Sequence, residues 1–169
     1  MRVFLVLLLC LGLATCSSHI PRAQVLTAAS AKLNGLRAYE LVAPERALQG
    51  DAPFQARYAQ LDTLLGQGLA QRGYHESARP ELRVYYWLAV QDTPLEFKVD
   101  PAAPGPLGPY QAIHRLRDET GTLRITLADL DGHVLWEGAV STGLSPARDS
   151  AERLERAALA LVEQIPRAR

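Results

Sequence analysis

Cysteine is almost absent: Cys10 and Cys16 are the only two in 169 residues, so no disulfide framework can hold this chain together. Net charge is absent too. Eighteen basic and eighteen acidic side chains cancel, and they are interleaved along the chain, which leaves no basic footprint for phosphate backbones and argues against nucleic acid as a partner. Past the first sixteen residues no apolar run approaches the roughly 20 residues needed to span a bilayer, so the body is expected to be water-soluble. Paired histidines are lacking: His19, His75, His114 and His133 are scattered without metal-site spacing. Neither a G-x-S-x-G elbow nor a glycine-rich phosphate loop occurs, and no internal repeat is visible. The sequence therefore offers no catalytic residue, no metal and no cofactor, and a non-catalytic role is expected.

What is present begins at the N-terminus. Arg2, the apolar stretch Val3 to Leu13 and the small residues after it have the order of a secretory signal peptide, here 1–15. Eleven helical residues would cover only about 17 Å, too short to cross a bilayer. Leu13, Ala14, Thr15 and Cys16 resemble a bacterial lipobox, cut before a cysteine whose thiol is acylated, although Thr15 stands where Gly, Ala or Ser is usual. The alternative is ordinary cleavage after Ala14, because Gly12 and Ala14 form a small-x-small signal. Cys10 would leave with the signal peptide, and a lone exposed thiol in an oxidising compartment favours the acylated reading of Cys16. Each buried methylene then contributes about 0.8 kcal/mol to anchoring. The same resemblance, with Ser17 and no Asp after the cysteine, implies the periplasmic face of a bacterial outer membrane.

Residues 16–32 are small, polar and weakly patterned, as a tether after Cys16 would be, though Gln24 to Thr27 also suit a short edge strand. A single domain then fills 33–169, as the chain length allows. A strand is expected over Leu36 to Val42. Asp51 and Pro53 mark a helix start, and Phe54, Tyr58, Leu61, Leu65 and Leu69 recur as one buried stripe until Gly73. Gly66 and Gly68 interrupt it and are read as sites of close packing on a sheet. Three alternating strands follow in LRVYYWLAV, TLRITLADL and HVLWEGAV. Asp131 and Gly132 favour a two-residue type I′ turn between the last two, placing Leu127 opposite Trp136, Ile125 opposite Gly138 and Leu123 opposite Val140. A final helix starts near Ser145 or Asp149, with Leu154, Ala158, Leu161 and Ile165 as its stripe and Pro166 as its stop. Two helical stripes need one apolar sheet face, so the expected fold is an α+β two-layer sandwich, mostly antiparallel, with both helices on one side.

The stretch 92–120, with five prolines, is too long for an ordinary loop. It is either a covering flap or an extended hairpin whose ends prolong the flanking strands. Alternation points Tyr85, Trp87 and Leu135 away from the helices. These three form the candidate partner or ligand face, covered by the flap or left exposed. Asp129, Asp131 and His133 are read as hairpin punctuation, with Asp129 and His133 expected to diverge across the strand.

The segment GTLRITLADLDGHVLWEGAVSTGL resembles a family of uncharacterised bacterial lipoproteins, domain of unknown function 4136, at Gly121, Thr122, Leu123, Ile125, Leu127, Asp129, Trp136, Gly138 and Ala139. The likeness spans roughly residues 24 to 166 and implies an envelope lipoprotein with an α+β domain and no established activity. The expected function is thus a binding or scaffolding lipoprotein that meets an envelope protein. A carrier of a small apolar ligand or lipid is the alternative, and an enzyme of unknown type the third.

Overall fold

Both helical stripes find the sheet face they require. The computed structural model describes residues 21–44, 52–96, 115–145 and 149–169. The expected signal peptide, Cys16, the expected Asp51 cap, Pro146 and the 97–114 centre of the proline-rich stretch lie outside the described residues.

Strands β1 (Ala23–Thr27), β2 (Ala38–Val42), β3 (His75–Glu76), β4 (Leu82–Glu96), β5 (Arg115–Asp129) and β6 (Val134–Gly143) form one sheet in the order β1-β6-β5-β4-β2-β3. Helix α1 (Ala52–Gln71) connects β2 to β3, and α2 (Ser150–Val162) follows β6. The fold is α+β. The sheet is mostly antiparallel, as expected, through β1-β6-β5-β4; only on one side does β2 run parallel to β4 and to β3. The cause is α1, a crossover that returns the chain to the same end of the sheet.

The core is built as the stripes dictate. Tyr58, Leu61, Leu65 and Leu69 of α1 and Leu154, Ala158 and Leu161 of α2, with Ile165 just beyond, are all buried. They meet Val84, Tyr86, Leu88, Leu123, Ile125, Leu127 and Trp136 from the sheet. Fully burying a large aliphatic side chain contributes about 1.5–3 kcal/mol, so this shared cluster is the main source of stability. Gly68 serves the helix pair and not the sheet, because a Cβ there would lie 2.7 Å from Val162 of α2. Gly66 does face the sheet, where a Cβ would lie 3.9 Å from the Tyr39 hydroxyl. After Gly73, at φ +92, the chain turns back. The Arg72 side chain and the Tyr74 hydroxyl then hold the carbonyls of Ile165 and Pro166, fixing the end of α2.

The β5–β6 hairpin has the expected register but not the expected turn. Leu127 faces Trp136, Ile125 faces Gly138 and Leu123 faces Val140. A type I′ turn would require positive φ at Asp131, and among described residues only glycines adopt it. Instead Leu130, Asp131 and Gly132 form a three-residue loop. The Gly132 N–H donates to the Asp129 carbonyl at 3.1 Å, and Gly132 takes φ +88. The extra loop residue is compensated by a bulge: Ala128 pairs with Val134 and Leu127 with Trp136, leaving Leu135 without a partner across the ladder.

Two further segments join the sheet. Ala23–Thr27, within the stretch read as a tether, pairs antiparallel with β6 as an edge strand. At the proline-rich stretch, Asp92–Glu96 and Arg115–Thr120 continue the β4–β5 ladder out to Glu96 opposite Arg115. The outer parts of that stretch are therefore an extended hairpin. Pro94 is tolerated because, among the described residues, β4 beyond Tyr85 has a neighbour on one side only.

Candidate functional site

Strand alternation divides β4 into two chemistries. Val84, Tyr86 and Leu88 enter the core, while Tyr85 and Trp87 emerge on the face without helices, 37% and 51% exposed. Trp87 sits directly across from Arg124 on β5, and Tyr85 across from Thr126. One strand further, Thr126 faces Glu137 of β6. An aromatic row therefore runs beside a polar row.

Leu135, expected beside Tyr85 and Trp87, is not there. It is 1% exposed and belongs to the same apolar cluster as Trp136 and Leu33. The bulge is the reason: as the unpaired extra residue, Leu135 escapes the alternation that would have turned it outward. The connection from β1 to β2 passes this end of the sheet, where the Ser30 N–H donates to the Leu135 carbonyl at 2.8 Å.

The polar row is tightly bonded. Glu137 accepts from Arg124 Nε, from the Thr126 hydroxyl at 3.2 Å and from the Thr27 hydroxyl at 3.5 Å. Its carboxyl is held below the usual range, first by the hydrogen bond from Arg124 and then by that guanidinium's charge, against the opposing effect of burial. Arg124 is correspondingly pushed further up by the same bond and charge. Both groups stay ionised at neutral pH, so the pair suits fixed recognition better than proton transfer. A trough of about 360 Å³ lies along this face, lined by Val42, Pro44, Tyr85, Trp87, Arg124 and Thr126. Its size is at the lower end of small-ligand clefts, roughly 300–1,000 Å³.

Arg124, Thr126 and Glu137 were not picked out from the sequence, although the signal was present. The register set by Leu127 and Trp136 also sets Thr126 against Glu137, one residue to either side.

At the hairpin tip, Asp129, Asp131 and His133 bring one ligand atom each within 4.8 Å of one another. Asp129 and His133 converge, contrary to the expected divergence, with Nδ1 3.0 Å from Asp129 Oδ2. The three-residue loop breaks the strand alternation between them. The Asp129 carboxylate already accepts from the backbone N–H of His133 at 2.8 Å and of Asp131 at 3.1 Å. The first of these bonds is the largest cause of its lowered pKa. The cluster acts as turn punctuation. On the helix side, the Tyr86 hydroxyl donates to Asp62, and burial, then Asp62, pushes the phenol's pKa up.

No family model matches the chain, and no curated protein does. A PDZ domain protein from Parabacteroides distasonis shares the fold with a TM-score of 0.52 and 12% identity, over 86% of this chain and 34% of that one. This chain thus spans about a third of that protein's structure. The PelC dodecamer from Paraburkholderia phytofirmans follows at a TM-score of 0.47 and 8% identity, over 88% of this chain and 99% of that one. Likeness at such low identity speaks to the fold alone.

Proposed function

We propose that this chain is a non-catalytic lipoprotein, held by acylated Cys16 on the periplasmic face of a bacterial outer membrane, that serves as a binding or scaffolding module. The observation that carries the binding role is the outward pair Tyr85 and Trp87, set beside a bonded polar row on the sheet face that, among the described residues, no helix covers. Exposed aromatic surface rimmed by polar groups is the composition of a partner site. The anchoring role is supported by the apolar run ending in Leu13-Ala14-Thr15-Cys16. Among the described residues no helix is long and apolar enough to cross a membrane.

The trough beside Trp87 favours a second reading, a carrier of a small apolar molecule, with Val42, Pro44 and Trp87 as its apolar wall. Native mass spectrometry of protein purified from cells separates the two: a retained ligand supports the carrier, a clean apo mass the module. The anchor is tested by Cys16→Ala. The variant is expected to leave the membrane fraction on alkaline wash, whereas retention equal to wild type refutes lipid attachment.

A further inference from the structure

A second concavity, of about 450 Å³, opens where the end of β6 meets α2, lined by Pro21, Thr120, Ser141, Thr142, Arg153 and Arg156. Among the described residues no carboxylate lines it. Arg153 and Arg156 stand one helical turn apart on α2, each with a carboxylate four residues earlier, Asp149 at 4.0 Å and Glu152 at 3.8 Å. Those separations exceed hydrogen-bond length, so among the described residues neither guanidinium has a hydrogen-bonded acceptor. Long, exposed i,i+4 pairs of this kind hold an arginine only weakly. Gly143 makes room for one of them, since a Cβ there would lie 3.1 Å from an Arg153 Nη.

We infer that this concavity binds the phosphate of an anionic phospholipid headgroup. Two guanidinium forks and the Thr120 hydroxyl supply donors, beside a Ser141 hydroxyl that shares a hydrogen bond with Thr122 and a Thr142 hydroxyl weakly bonded to the Gly143 carbonyl. That arrangement matches the oxygens of a phosphodiester better than a planar carboxylate. Two guanidinium charges, each held only by a long, exposed pair with its carboxylate, favour a net-negative lipid over a zwitterionic one. The chain's own path supplies the location. Pro21 lines the mouth, and the five residues from Cys16 to Pro21 span at most about 17 Å. The choice of a membrane lipid as ligand rests on the anchored reading above. The donor set itself does not.

Binding is measured by calorimetry on the full mature protein in nonionic detergent, titrated with dihexanoylphosphatidylglycerol, dihexanoylphosphatidylcholine or inorganic phosphate. Saturable binding of the glycerol lipid is expected, at least tenfold tighter than either of the others. Arg153→Gln with Arg156→Gln should weaken it tenfold or more without altering the melting temperature. Arg153→Lys with Arg156→Lys should restore part of the loss, because charge returns without the fork. Equal affinity in the Gln variant, or inorganic phosphate binding as tightly as the lipid, overturns the inference. Repeating the titration on Cys16→Ala separates the site from the anchor: lipid binding that survives there stands even if the wash experiment refutes acylation.

Discussion

Gly138 shows how far a single residue is constrained by what crosses it. A Cβ at this position would lie 2.7 Å from the Trp136 ring and 2.9 Å from Leu161 of α2. Both neighbours are fully buried and have no room to give. Gly138→Ala is expected to cost about 1–3 kcal/mol through overpacking, seen as a melting temperature several degrees lower, whereas Ala139→Gly on the other face should not disturb the core. Glu137 sets a pH dependence. Its folded pKa lies below the ordinary 4.5, so its contribution is fully present above that value and is lost as pH falls through the lower one. Denaturant titrations between about pH 5 and about pH 3 should show wild type losing more stability than Glu137→Gln. Identical slopes would mean that the bond to Arg124 adds nothing to the folded state.

At the level of elements, the β5–β6 hairpin separates what the sequence made legible from what it hid. The facing of Leu127 with Trp136 followed from alternation, because three apolar pairs on one face outweigh any competing register. The turn was misread because Asp-Gly serves both a type I′ turn and a three-residue loop with glycine in the left-handed region. The choice between them depends on the bulge, a feature without periodicity. Leu135 was misplaced for the same reason. Its burial gives a direct check: Leu135→Ala should cost about 2–5 kcal/mol, while Val134→Ala, at an exposed position, should stay within about 0.5 kcal/mol. Similar costs at both positions would argue for an unbulged strand. The helical stripes were legible because four-and-three spacing has one structural solution. The two-residue β3 carries too little pattern to be seen, and the parallel pairing of β2 depends on tertiary packing of α1.

Taken as a whole, the molecule has one sheet face closed into a core and one with an open aromatic and polar surface. One face is closed by α1 and α2 and carries nearly all the large buried side chains. The other presents Tyr85, Trp87 and the Arg124–Glu137 pair. The aromatic part of that face was legible from strand period alone. The polar part needed strand order, and the arginine pair near the start of α2 needed the tertiary approach of helix to β6. The proposed location rests on a short N-terminal stretch, Leu13 to Cys16. The intact mass of the mature protein extracted from membranes therefore tests the account most directly. A chain beginning at Cys16 and carrying the added mass of fatty acyl groups is the predicted result. An unacylated chain beginning at Thr15 would contradict it.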